Sequence, residues 1–278
     1  MPLFTNICQN LSKQDFILSG NIKNFEFILV ADGHGKPIII DIIRQANWNY
    51  ILQSDDIEKE IYSLFDNINS QTSGSTLSIV KILPNYFEFF WIGDSKIILF
   101  ENEKKIIFES LNHDFKNKKE IERISNICSI KKKYSHQILS HKVDKDKYNH
   151  IKDIEQTNGI ITMSQNSAYF YFSKNDIIAL THSLGHNNLT GTFLSYKKII
   201  KNEQNKYKII IGSDGLWDMI LLKEDFNLLS KIKNSTELIN IIKNRWNQTW
   251  LYLYKNCITT TSFEKNNIDD ICIGLWYN

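Results

Sequence analysis

The chain has 278 residues, 42% of them hydrophobic and 23% charged, with 11 glycines and 3 prolines. These proportions exclude a disordered, collagen-like or low-complexity chain, and the length allows a core that folds without disulfides or a structural metal. A net charge of +2 argues against partners held by bulk electrostatics, nucleic acid or membrane, and no apolar run reaches the roughly 20 residues of a membrane span.

Cys8, Cys128, Cys257 and Cys272 contain no close pair. They read as buried thiols of a reducing compartment, not as zinc ligands or a disulfide framework. Met1-Pro2-Leu3-Phe4 has neither the basic nor the apolar region of a secretory leader. The expectation is a cytoplasmic or nuclear protein.

Residues 24–31 form an apolar, β-prone run, which predicts a buried strand ended by the turn former Asp32-Gly33-His34-Gly35. Helices are predicted over 37–48 and 55–68. Strands follow at 75–83, 86–92, 95–100 and 104–109, with connections short enough to predict one antiparallel meander. A short charged helix is expected at 116–124. Residues 125–153 carry Lys131-Lys132-Lys133, His136, His141 and His150 and read as an inserted, solvated segment, with a basic docking patch as the alternative. Then come strands at 158–163 and 167–172, a helix at 174–184, a strand at 207–212, a helix at 235–254 capped by Ser235 or Thr236, and a last strand at 270–276. No repeat or linker divides the chain, so 1–278 reads as one domain. Strands and helices do not alternate, which predicts an α+β fold of two packed antiparallel sheets with helices outside.

Several aspartates sit at strand ends. Asp32 and Asp214 end strands and precede glycine; Asp15 and Asp269 open strands. Each alone is a common turn or loop cap. Acids converging on one sheet rim would repel each other unless cations neutralise them. Hard divalent ions such as Mg²⁺ or Mn²⁺ suit an all-oxygen site of this kind.

In this order the motifs resemble those of the PP2C family of metal-dependent Ser/Thr protein phosphatases. Gln14-Asp15 looks like its early acidic pair, and Asp32-Gly33-His34-Gly35 is similar to its Asp-Gly-His-Gly signature. Ser73-Gly74-Ser75-Thr76, Gly93-Asp94-Ser95, Leu180-Thr181-His182-Ser183-Leu184-Gly185, Ser213-Asp214-Gly215-Leu216-Trp217-Asp218 and Asn267-Ile268-Asp269-Asp270 follow at the expected places. The resemblance implies a four-layer αββα sandwich, two antiparallel sheets flanked by helices, with a dinuclear Mg²⁺ or Mn²⁺ centre at one end. Asp32 would bridge the two ions. The Gly33 carbonyl would bind one of them, Asp214 and Asp269 the other, and Asp15 would act through water. Four carboxylates at −4 balance two divalent ions at +4. Asp94 and Asp218 match positions that hold a weaker third ion in some members; a turn cap and an acceptor beside the site are equally open readings. A metal-activated water would attack the phosphoryl group of a phosphorylated protein, and His34 would protonate the leaving serine or threonine oxygen. A monomer is expected.

Three departures stand out. Asn10 occupies the place of the family's phosphate-gripping arginine, where Lys13 or Lys36 could substitute without the fork geometry. Lys36 replaces a glycine after Asp-Gly-His-Gly. His182 and His186 replace an arginine and an aspartate, at positions read as outside the metal shell. Asn10 motivates the alternative: a catalytically weak relative that binds or regulates a phosphoprotein partner.

Overall fold

A computed structural model describes residues 3–9, 12–114, 119, 135–137, 161–163, 169–171, 177–178, 180–188, 190–191, 193–220, 225–254, 257–264 and 268–278. Numbered in chain order, the first strands are β1 Leu3–Cys8, β2 Asp15–Ile22, β3 Phe25–Gly35, β4 Ser73–Ser75, β5 Leu77–Ile82 and β6 Tyr86–Ile92. Next come β7 Lys96–Glu101, β8 Lys105–Glu109, β9 Ser135–Gln137, β10 Ile161–Met163, β11 Tyr169–Tyr171 and β12 Ile177–Ile178. The last are β13 Leu184–Gly185, β14 Ser195–Ile200, β15 Tyr207–Gly212, β16 Thr249–Tyr254, β17 Cys257–Ser262 and β18 Ile271–Tyr277.

Two large sheets dominate, and both are antiparallel. One has the order β1-β18-β15-β7-β8; the other runs β13-β4-β3-β5-β6-β14, with β2 added beside β3. Two small sheets, β12-β11-β9 and β10-β16-β17, stand apart from them.

The continuous apolar runs follow from burial on both faces. Along β3, Phe27, Leu29 and Ala31 pack under the helices Ile38–Gln45, Trp48–Ile51 and Ile57–Ser63. The alternating Ile28 and Val30 face the other sheet and meet Ile209, Ile211 and Trp276. β15 behaves the same way: Ile210 turns outward to the helices Asp214–Trp217, Asp225–Lys231 and Ser235–Asn247. Period-two side-chain alternation thus yields helix, sheet, sheet and helix layers, with an apolar core in each of the three seams. A fully buried Ile or Phe contributes roughly 1.5–3 kcal/mol relative to exposure, which makes this arrangement strongly preferred over any that solvates one strand face. The expected two-sheet α+β class holds.

Several local expectations change. The meander is split. β5 pairs with β6 and β7 with β8, but β6 and β7 belong to different sheets, so Gly93-Asp94-Ser95 carries the chain across the sandwich. Residues 177–178 and 184–185 are strands, not helix, because the segment lies extended against β11 and β4. The helix expected over 235–254 stops at Asn247; Gln248 is extended, and the aromatic-rich Thr249–Tyr254 forms β16. Its cap is Asn234, whose side chain accepts from the Glu237 N–H at 2.7 Å. The helix expected over 37–48 breaks after Gln45, where Ala46 turns extended and Asn47 caps a new turn. The segments 116–124 and 125–153 lie outside the described residues, apart from residue 119 and β9. Among the described residues no helix is long and apolar enough to cross a membrane.

Candidate metal centre

The acids come from both sheets. Asp15 opens β2 directly opposite Asp32 on β3. Asp32 is fixed through its backbone: its N–H donates to Thr76 Oγ1 at 3.1 Å, and its carbonyl accepts from the Thr76 N–H and Ser75 Oγ. Thr76 Oγ1 in turn meets Ser95 Oγ at 2.6 Å. The Ser-Gly-Ser-Thr and Gly-Asp-Ser motifs therefore serve as the mount for Asp32.

Asp214 and Asp269 belong to the other sheet. β15 ends at Gly212, Ser213 is extended, and Asp214 starts a short helix; Asp269 lies two residues before the neighbouring strand β18. Glycine at 215 is obligatory, because a Cβ there would stand 1.9 Å from the Asp270 carbonyl oxygen. Asp94 sits on the turn that crosses between sheets, and Asp218 follows one helical turn after Asp214.

Burial first, and then like charge, drives these carboxyls up. Asp15 is pushed up to about 7 by burial and by Asp270 and Asp269, against a stabilising hydrogen bond from Ser213. Burial, Asp214 and Asp15 lift Asp32 well above the ordinary carboxylate range. Asp214 rises through burial and the charges of Asp269, Asp94 and Asp218; Asp269 rises through burial, Asp270 and Asp218. The structure thus brings Asp15, Asp32, Asp94, Asp214, Asp218 and Asp269 into one electrostatic cluster, with Gly33 between Asp32 and His34.

Among the described residues no three His, Cys, Asp or Glu side chains close into a formed metal cage; Asp32 and Asp214 instead hydrogen-bond to one another. The donor set nevertheless suits a hard divalent cation. It consists of carboxylate oxygens, and Asp214 Oδ1 is buried with no hydrogen-bond partner. A buried acceptor left open among mutually repelling acids is a site for positive charge.

His34 projects from the same strand. Its Nε2 lies 2.7 Å from His186 Nε2, and the rings stack at 4.8 Å. Gly74 makes room for the pair, since a Cβ there would sit 2.2 Å from His186 Nε2 and 2.5 Å from His34 Nε2. His186 was read as lying outside the metal shell, with an effect on local structure or regulation; it touches the proposed acid. His182 is fully buried among His113 and Phe193, beneath the turn that bears Asp94. Lys36 is exposed and donates its N–H to the Thr72 carbonyl, with no need of glycine's freedom. Asn10 lies outside the described residues.

Sequence reasoning passed over two anchors. Ser213 Oγ donates to Asp15 Oδ2, and Asp270 Oδ2 accepts from Ser12 Oγ and the Gln14 N–H. The only signal was that each adjoins an aspartate in a motif.

The profile of the Protein phosphatase 2C family matches residues 11–139. Over that stretch the sequence is similar to Protein phosphatase 2C. Among solved structures, the Streptococcus agalactiae serine/threonine phosphatase superposes with a TM-score of 0.52 at 16% identity, covering 98% of this chain and 96% of that one. The Toxoplasma gondii serine-threonine phosphatase 2C gives 0.59 at 13%, covering 99% and 93%. The Mycobacterium tuberculosis serine/threonine phosphatase gives 0.53 at 12%, covering 99% and 97%. At these identities the likeness is one of fold, and it runs the length of this chain. No curated protein sequence matches it significantly.

Proposed function

We propose that this chain is a metal-dependent protein phosphatase that hydrolyses phosphoserine and phosphothreonine. The observation that carries the reading is the cluster of Asp15, Asp32, Asp214 and Asp269, buried or half-buried, raised by one another and containing an open acceptor on Asp214. The PP2C match over 11–139 supports it. Asp32, the Gly33 carbonyl, Asp214 and Asp269 would hold two Mg²⁺ or Mn²⁺ ions, Asp15 would act through water, and Asp94 and Asp218 would serve a weaker third. Bound there, the ions lower the pKa of water and offset charge on the phosphoryl group.

The chain's own residues do the rest. Thr76 and Ser75 hold the Asp32 backbone still, and Ser213 orients Asp15. His34, at the rim beside Asp32, gives a proton to the leaving alkoxide, which is too basic to depart unaided. Lys13 and Lys36, both exposed, are cations that a phosphorylated protein could meet here.

The test is phosphate release from a phosphothreonine peptide with Mn²⁺, with Mg²⁺ and with EDTA. Turnover should need the cation and vanish in Asp32→Ala and Asp214→Ala. Activity that persists in EDTA would overturn the reading. His34→Ala should slow the peptide reaction about 10²–10⁴-fold.

A further inference from the structure

The contact between His34 and His186 fixes more than two ring positions. His186 Nδ1 lies 3.0 Å from the Gln71 carbonyl oxygen. A carbonyl only accepts, so Nδ1 carries the hydrogen, and Nε2 of the neutral ring presents its lone pair. Across the 2.7 Å gap His34 Nε2 must then be the donor. The acceptor that decides where the His34 hydrogen sits is therefore His186.

The chain accepts an unfavourable backbone to put His186 there. Gly185, His186 and Asn187 have φ of +87°, +51° and +49°, and the left-handed region is poorly suited to histidine. His186 is buried, packed against Gly74. Strain of this kind persists where surrounding structure over-determines it and clusters at working sites.

We propose that His186 is the positioning residue for His34, holding Nε2–H ready until the substrate's leaving oxygen replaces His186 as its acceptor. The ring, having taken a second hydrogen from solvent on Nδ1, gives its Nε2 hydrogen to that oxygen as the phosphorus–oxygen ester bond breaks; the oxygen keeps the bond's electron pair and His34 is left neutral. The proposal rests on the phosphatase reading above.

Two variants test it in the full-length, Mg²⁺-loaded protein. His186→Gly removes the ring while relieving the left-handed backbone, so it should fold. His186→Gln returns an acceptor to the position. His186→Gly should slow a phosphothreonine peptide roughly 10–100-fold more than p-nitrophenyl phosphate, whose leaving group needs little protonation. His186→Gln should recover part of that difference. Nitrogen-15 shifts of the His34 ring should report a protonated Nε2 in wild type and a changed tautomer in His186→Gly. Equal slowing on both substrates, or an unchanged His34 nitrogen signature in His186→Gly, would overturn the proposal. If wild type turned over neither substrate, the phosphatase reading would fall, while the nitrogen shifts would still decide whether His186 sets the His34 tautomer.

Discussion

Ser213 Oγ donates to Asp15 Oδ2 at 2.6 Å and accepts from the Cys272 N–H at 3.0 Å. One hydroxyl thus ties an acid of the seven-stranded sheet to two strands of the five-stranded one. It is the bond that most directly opposes the upward push on Asp15. Ser213→Ala should lower Mn²⁺ affinity about 10–100-fold, the usual effect of losing a residue that orients a ligand. Isothermal titration of the metal-free protein with Mn²⁺ would measure it; unchanged affinity would remove Ser213 from the site.

The acids also set a pH dependence. Without metal, Asp15 is raised to about 7, and Asp32, Asp214 and Asp269 are raised too. A raised folded value means that the protonated form is favoured on folding. Stability is complete below the unfolded value near 4 and is lost as pH climbs through the folded value. Thermal melts in EDTA should fall between about pH 5 and pH 8, and Mg²⁺ should reverse the fall. A flat profile in EDTA would mean that the carboxyls are not crowded.

Relief of that crowding should separate stability from activity. Asp214→Asn removes one negative charge from a buried group flanked by Asp32, Asp94, Asp218 and Asp269. At pH 8 in EDTA it should melt about 2–4 °C higher than wild type, the shift that 1 kcal/mol produces in a chain of this size. Turnover should be abolished. Calorimetry and phosphate release on the same preparation check both halves.

Gly215→Ala should do the reverse and damage the frame. Its Cβ would meet the Asp270 carbonyl oxygen at 1.9 Å, a backbone atom that cannot swing aside. The loss should be at least about 1–3 kcal/mol, visible as a lower urea midpoint with an unchanged slope.

Much of this was legible in the sequence. The run Phe-Ile-Leu-Val-Ala before Asp32 and Ile-Ile-Ile-Gly before Ser213 are apolar on both faces because both faces are buried. That same continuity marks where each strand must end and expose its acid. The sheet change at Gly93-Asp94 was not legible, since a tight turn between two β-prone runs has the same local chemistry whether it closes a hairpin or crosses a sandwich. Helix and strand across Asn247 to Tyr254 were confused because Trp250, Leu251 and Leu253 suit either periodicity at that length. His186 was visible only as an oddity. Its partner lies 152 residues away, and no local pattern encodes a contact made by pairing three strands side by side.

Because the acids arrive in pairs from opposite halves of the sandwich, the pocket acts as a gauge of how the halves are seated. A wedge driven among Phe87, Phe89 and Trp276, well inside the interior, would tilt one half against the other and pull the pairs out of alignment. Variants repacked in that greasy seam would be expected to bind ions poorly while every acid stays in place.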